Sequence, residues 1–196
     1  LSTARSVELV RQAKANGLPI TAEAAPHHFT LTDEALAGFD AVFKVNPPLR
    51  TRVDIDALKA GLADGTIDAI ATDHAPHAPH TKEAPLDQAP PGMLGLETAL
   101  ALAITELDLP LERLLATLSW NPAAIAGVAD RHGRPVQVGE PANLTVFDPS
   151  HEWTVVPTEL ASKSRNTPYA GRTLHGKVRH TIFGGNAVVV DGIATR

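Results

Sequence analysis

The sequence contains no cysteine, and this absence removes two classes of site at once. Without thiols, its 196 residues can form neither disulfide bonds nor thiolate metal centres. No apolar run approaches the roughly 20 residues that a membrane-spanning helix needs, so we expect no membrane segment. Any metal site in this chain must therefore rely on oxygen and imidazole ligands.

The chain also lacks an excess of basic residues. It carries 17 Lys and Arg against 22 Asp and Glu, which gives a formal net charge of −5. A protein that binds the phosphate backbone would show a basic face, so we predict no nucleic-acid partner. Hydrophobic residues make up 43% of the chain, which is typical of a globular domain. Because the absence of cysteine fits a reducing compartment, we expect a cytoplasmic protein.

The first 130 residues repeat an order of strand, loop and helix. The predicted strands are 20–25, 41–45 and 67–72, and a polar turn is predicted at 26–34. Helices are predicted at about 3–16, 51–63, 96–106, 110–118 and 121–126. Such alternation predicts parallel βαβ units, whose active sites form at the carboxyl ends of the strands. A β/α barrel and a doubly wound sheet both meet this description.

The pattern changes near residue 131. Short β-prone runs separated by turn residues follow, at 142–147, 152–156, 179–183 and 187–190. We therefore predict two parts, with the strand–helix units in 1–130 and a β-rich module in 131–196.

The segment Asp73-His74-Ala75-Pro76-His77 is the strongest candidate for a functional site. A carboxylate at a predicted strand end, followed by two histidines in a proline-stiffened loop, suits Zn²⁺ or proton transfer. The alternative is a turn-forming aspartate with solvated histidines. The segment cannot complete a catalytic zinc site by itself, because such a site needs about three protein ligands and an open position.

Three further segments carry polar groups near predicted strand ends or helix starts. Asn46 precedes two prolines and either binds a polar substrate or starts a turn. His27 and His28 are candidates for metal ligands or for packing residues near a site. The loop 90–95 precedes a predicted helix; it lacks the features of a phosphate loop, but its backbone can hydrogen-bond a ligand.

Four motifs, in this order along the chain, resemble the carboxyl-terminal half of class I dihydroorotases in the amidohydrolase superfamily. They are EAAPHH (23–28), NPPLR (46–50), TDHAPH (72–77) and GMLGLET (92–98). Segments 121–123, 142–148 and 166–171 resemble the tail of the same family. The resemblance implies an α/β fold: the carboxyl-terminal part of a metal-dependent (β/α)8 TIM-type barrel, with a tail that belongs to a small β-sandwich.

The resemblance also implies an activity and a set of site residues. The activity is the zinc-dependent, reversible cyclisation of N-carbamoyl-L-aspartate to L-dihydroorotate in pyrimidine biosynthesis. Asp73 would bind metal and act as general acid and base, and Asn46 and His77 would bind the substrate. The backbones of Pro91 and Gly92 would contact the ring amide. The family commonly has an aromatic residue at the position of Pro91, and because proline has no N–H, only its C=O can serve.

Most metal ligands of that family have no counterpart in this sequence. The family uses a His-x-His pair, a bridging carboxylate and two further histidines, and residues 1–3 resemble the stretch that follows the last of these histidines. The resemblance thus implies two Zn²⁺ ions per complete site, with most ligands in an amino-terminal half of the same enzyme. It suggests a homodimer or an aspartate transcarbamoylase complex as further assemblies.

Two other functions stay open from the sequence. A non-catalytic, dihydroorotase-like scaffold subunit of aspartate transcarbamoylase is one, although such degenerate homologues lose metal ligands and this chain keeps Asp73. A hydantoinase or allantoinase would keep the chemistry and change the ring. The combination of NPPLR and DHAPH favours dihydroorotase.

Overall fold

The computed structural model describes residues 1–195 and contains two separate sheets, with α-helices between the two strands of the first sheet and between the two sheets. The helices are α1 (Ala4–Ala15), α2 (Pro26–Thr30), α3 (Arg52–Asp64), α4 (Pro79–Lys82), α5 (Ala99–Glu106), α6 (Leu111–Leu118) and α7 (Trp120–Ile125). The strands are β1 (Glu23–Ala24), β2 (Ala69–Ile70), β3 (Leu144–Thr154), β4 (Thr173–Phe183), β5 (Asn186–Val190) and β6 (Ile193–Ala194). Short 3-10 helices lie at Asp33–Gly38, Ala41–Phe43 and Pro157–Glu159.

The first sheet is a parallel pair of strands. Glu23 of β1 pairs with Ala69 of β2, and Ala24 pairs with Ile70. The strands predicted at 20–25 and 67–72 are therefore in the right place, although only two residues of each meet the definition of a strand. Their carboxyl ends lie at the same edge of the sheet, as the parallel arrangement requires.

Helices α1, α3, α5 and α6 bury this sheet on a shared apolar core. The fully buried members include Val7 of α1, Leu58 and Leu62 of α3, and Ile67 just before β2. A Cβ on Gly61 would lie only 3.0 Å from Cγ1 of Val7, so this glycine lets α1 and α3 approach closely. The predicted helix positions are confirmed here, because capping signals and apolar spacing agree with the packing.

The predicted strand at 41–45 is wrong. Residues 41–43 form a 3-10 helix that begins where the Asp40 carboxylate accepts the backbone N–H of Val42. Val45 turns inward against Leu49 and Met93 in a small apolar cluster instead of pairing with a strand. The alternation of apolar residues reflected this loop packing, which local sequence cannot distinguish from a short strand.

The predicted polar turn at 26–34 is also wrong in part. Residues 26–30 form helix α2, with Pro26 at its start, where the missing N–H costs nothing. His27, His28 and Phe29 are buried there. The two polar histidines led to the prediction of an exposed turn, whereas the segment is a helix that packs against α3 and α5.

The second sheet is antiparallel, in the order β3-β4-β5-β6. The two runs predicted at 142–147 and 152–156 form one long strand whose register shifts between Asp148 and Glu152. Helix α5 packs on β4, and a Cβ on Gly176 would lie 2.5 Å from Cδ1 of Ile104. The division at residue 130 stays a prediction. Among residues 1–195, no helix combines the length and hydropathy needed to cross a bilayer.

The Asp54 carboxylate holds the amino-terminal ends of α1 and α3 together. Its Oδ1 accepts the backbone N–H of Ala4 at 2.8 Å, and its Oδ2 accepts the Thr51 hydroxyl at 2.7 Å. These hydrogen bonds hold the pKa of Asp54 below its ordinary value of 3.8, and the bond from the Ala4 N–H has the largest effect.

We therefore expect Asp54→Asn to lower the free energy of unfolding by about 1 kcal/mol at neutral pH, as the loss of a helix cap does. A carboxyl group with a lowered pKa stabilises the fold above its ordinary pKa and loses this effect as pH falls below it. The difference from wild type should thus shrink below about pH 4, in denaturant titrations. Asp56→Asn, on the exposed side of the same helix, is the control; an equal loss there would contradict the capping role.

Candidate active site

Asp73 follows β2 at the edge where both parallel strands end. Its backbone lies in the left-handed region, with φ of 48°, which is uncommon for a residue other than glycine. The side chain is 54% exposed and accepts no hydrogen bond from any residue within 1–195. A carboxylate fixed at a strand end and left without partners is available for a metal, a substrate or a proton.

His27 is the nearest ionisable group to Asp73. Its Nε2 lies 4.0 Å from Oδ2 of Asp73, and within residues 1–195 this buried nitrogen has no hydrogen-bond partner. Burial, and then the neighbouring His28, lower the pKa of His27 to about 3, so the ring is neutral at physiological pH. The ring thus brings an uncommitted nitrogen beside the carboxylate without adding a charge.

Asn46 and Asp73 face the same cleft. This cleft has a volume of about 240 Å³ and is lined by Leu1, Glu23, Ala25, His28, Asn46, Pro47, Ala71 and Asp73. His28 anchors the Asn46 loop, because its Nε2 lies 2.9 Å from the carbonyl oxygen of Pro47. The sequence analysis identified Asn46 and Asp73 as candidates in two separate segments, and in the structure both residues line the same cleft.

His77, Pro91 and Gly92 form a second group beside the first. Nε2 of His77 lies 3.0 Å from the carbonyl oxygen of Pro91. The Gly92 N–H donates to the carbonyl of Lys44 at 2.8 Å, so this donor is already used. His77, Pro91 and Gly92 are not among the described residues that line the 240 Å³ cleft.

Lys82 holds the loop of Pro91 and Gly92 in place, and sequence reasoning missed it. Its ammonium group donates to the carbonyls of Pro90 at 3.0 Å and Gly92 at 2.9 Å. Burial, followed by the charge of Lys44, lowers the pKa of Lys82. A lysine in a proline-rich loop gives no sequence signal for this role, since all of its acceptors are backbone carbonyls.

The residues present fit a single position of a metal site. Asp73 could supply one oxygen ligand, but within residues 1–195 no group of three or more His, Asp or Glu side chains is arranged to hold an ion. The uncommitted carboxylate and the unpartnered nitrogen of His27 are consistent with a centre that other ligands complete.

Parallel strands whose carboxyl ends carry the polar groups, covered by helices, define this chain as part of an α/β protein. A sequence model of the Amidohydrolase family matches residues 2–188, and the chain belongs to that family.

Relatives with assigned names agree with this family. The dihydroorotase of Streptomyces coelicolor is 52% identical over 199 residues, which covers 100% of this chain and 46% of that protein. The dihydroorotase of Mycobacterium tuberculosis is 48% identical, covering 97% of this chain and 45% of that protein. The chain therefore spans about half the length of the curated relatives it matches.

Solved structures of hydantoinases share the fold. The L-hydantoinase of Arthrobacter aurescens superposes with a TM-score of 0.91 at 28% identity, covering 100% of this chain and 45% of that one. The D-hydantoinase of a Thermus species gives a TM-score of 0.91 at 25% identity, covering 100% and 44%. The predicted fold class, part of a TIM-type barrel, is thereby confirmed, as is the predicted resemblance to dihydroorotases.

Gly92 is a position that tests the geometry of this loop. Its φ is +134°, and an added Cβ would lie 2.6 Å from Cβ of Ala75 and 2.7 Å from Nε2 of His77. We expect Gly92→Ala to destabilise the fold by roughly 1–3 kcal/mol in denaturant titrations, because strain and overlap add. In Gly38→Ala the new Cβ meets no atom within 4 Å, so this control should stay near wild type. Equal stability of the two variants would contradict the described loop.

Proposed function

We propose that this chain is the carboxyl-terminal portion of a dihydroorotase, which interconverts N-carbamoyl-L-aspartate and L-dihydroorotate. The observation that carries the proposal is the uncommitted carboxylate of Asp73, held beyond the end of β2 in one cleft with Asn46. Its support is the identity of about 50% to dihydroorotases along essentially the whole chain.

Asp73 is the proposed acid and base of the reaction. In the hydrolytic direction it takes a proton from the attacking water and delivers it to the amide nitrogen that leaves the ring. An aspartate that no other residue within 1–195 engages can turn between these two positions. His27 beside it is neutral, so it does not hold the carboxylate in an ion pair.

The substrate-binding groups are proposed at Asn46 in the cleft and on the loops that carry His77, Pro91 and Gly92. Asn46 offers an amide to polar atoms of the substrate, and His77 would turn its Nε2–H from the Pro91 carbonyl to the substrate carboxylate. The carbonyl of Pro91 would then accept a ring N–H. The N–H of Gly92 already donates to the carbonyl of Lys44. The proposed role of Gly92 is to shape the loop backbone at a point where a Cβ would overlap Ala75 and His77.

Asp73 is also the residue of this chain that we propose as a zinc ligand, in a site of two ions. When bound, zinc polarises the ring carbonyl and makes hydroxide available near neutral pH. We infer that an amino-terminal half of the same enzyme supplies the other ligands, since the relatives are about twice as long. A homodimer, an aspartate transcarbamoylase complex and a cytoplasmic location remain parts of this proposal.

A hydantoinase is the second candidate, favoured by the close superposition on the Arthrobacter aurescens enzyme. The identity of 28% to that enzyme is well below the 52% to the Streptomyces coelicolor dihydroorotase. Comparing dihydroorotate with hydantoins as substrates of the complete enzyme distinguishes the two: faster turnover of hydantoins would reject the dihydroorotase proposal.

We expect Asp73→Asn to reduce carbamoyl-aspartate cyclisation by roughly a hundredfold or more, because the amide cannot exchange the proton. The enzyme is residues 1–196 co-expressed with the native amino-terminal half, and the assay follows dihydroorotate formation. Asp87→Asn removes an exposed carboxylate from the loop after Asp73 and should keep the activity. A metal-loaded wild type without activity, or an active Asp73→Asn variant, would reject the proposal.

Zinc retention gives a separate prediction. We expect residues 1–196 alone to lose zinc on dialysis, because one carboxylate falls short of the three protein ligands of a stable site. Co-expression with the amino-terminal half should yield a protein that keeps zinc, measured by atomic absorption, and that loses activity with a chelator until zinc is restored. Stoichiometric zinc on the isolated chain would contradict this distribution of ligands.

A further inference from the structure

Asn166 lies outside the barrel helices, in the segment that leads to β4. Its side chain belongs to the tail, yet it is only 6% exposed. The proposed reaction gives this residue no role. Its surroundings are the two loops that carry the proposed substrate-binding groups.

The side-chain amide of Asn166 bridges these two loops. Its Oδ1 accepts the backbone N–H of His77 at 3.2 Å. Its Nδ2 donates to the carbonyl of Ala75 at 3.0 Å and to that of Gly92 at 3.3 Å. Every hydrogen of this amide therefore has an acceptor, on loops that are 14 or more positions apart in the sequence.

The backbone of the same residue continues the bridge. The carbonyl of Asn166 accepts the N–H of Leu94 at 3.1 Å, just beyond Gly92. Met93, between them, accepts the N–H of Ala75 at 2.9 Å. One residue of the tail thus joins the loop after β2 to the loop before α5, in addition to the direct bond between Ala75 and Met93.

The tail segment that carries Asn166 is itself anchored. Tyr169 is 2% exposed, and its hydroxyl lies 2.7 Å from the hydroxyl of Thr30 in α2. Helix α2 follows β1, so this contact ties the segment to the other strand end of the site. The bridge at Asn166 therefore rests on a buried attachment and not on a free loop.

Only an amide can make this set of contacts. An aspartate at position 166 has nearly the same shape, but it would present an oxygen to the carbonyls of Ala75 and Gly92. An alanine would leave the His77 N–H and the Ala75 carbonyl without this partner, and the Gly92 carbonyl with Lys82 alone. Either change acts on the position of His77 and Gly92 without touching the carboxylate of Asp73.

We propose that Asn166 is a positioning residue that sets the spacing between the His77 loop and the Pro91–Gly92 loop and so determines substrate affinity. The inference rests on the proposed function for its substrate. It makes the tail a component of the substrate site: the tail places the groups that bind the carboxylate and the ring amide.

The test uses Asn166→Asp and Asn166→Ala in the enzyme that contains both halves. We expect KM for dihydroorotate to rise roughly tenfold or more, the effect of losing a well-placed hydrogen bond, while kcat stays within about threefold. The control is Asn143→Asp, because the side chain of Asn143 likewise bridges backbone groups, those of Arg131 and Gly184, within the tail. This control should leave KM unchanged.

A second measurement separates this inference from the proposed function. Amide hydrogen exchange should speed up at His77 in Asn166→Ala, which removes the acceptor of this N–H, and at Ala75 and Leu94 in both variants as the loops separate. The control should show neither change. If wild type shows no dihydroorotase activity, the proposed function fails, and exchange still reports whether Asn166 holds both loops. Three results would overturn the positioning role: unchanged exchange at these amides, an unchanged KM of the Asn166 variants in an active enzyme, or the same rise in KM in the Asn143→Asp control.

Discussion

The parallel pairing of β1 with β2 is the constraint on which the site depends. Two residues from each strand pair directly, and this pairing brings the ends of both strands to one edge. His27 follows the first strand and Asp73 the second, which is why their side chains come within 4.0 Å although 46 positions separate them. The core of α1, α3, α5 and α6 supports this edge with buried apolar side chains packed behind the strands.

The parts of this arrangement that arise from local physics could be predicted from the sequence. Thr51 and Asp54 form a capping box, and Gly65 ends α3 in the left-handed region, so the helix is specified within about 15 residues. Asp73 was found because a carboxylate after an apolar strand, followed by histidines, is a local pattern. The same local reasoning failed at 41–45, where burial of Val45 comes from Met93, a partner far along the chain.

The groups that sequence reasoning missed share one property: they act through backbone atoms. Lys82 and Asn166 bind carbonyls and N–H groups, and any residue type supplies these, so no residue pattern marks the partner. His27 was noticed, but its burial depended on Pro26 opening a helix where a turn was expected. A site can therefore be located from its chemically distinctive side chains while the residues that give it a fixed shape stay hidden.

The proposed site makes opposite demands on its groups. Asp73, proposed as the reacting carboxylate, is free of hydrogen bonds from the described residues, which is what a proton carrier or metal ligand needs. The loops that carry the proposed binding groups require a fixed position, and they obtain it from Lys82 and from Asn166. A loop of prolines and glycine cannot hold its own shape by side-chain packing, since Gly92 has no side chain and Pro91 is exposed. External hydrogen bonds are the remaining means, and this chain obtains them from Lys82 and from Asn166 of the tail.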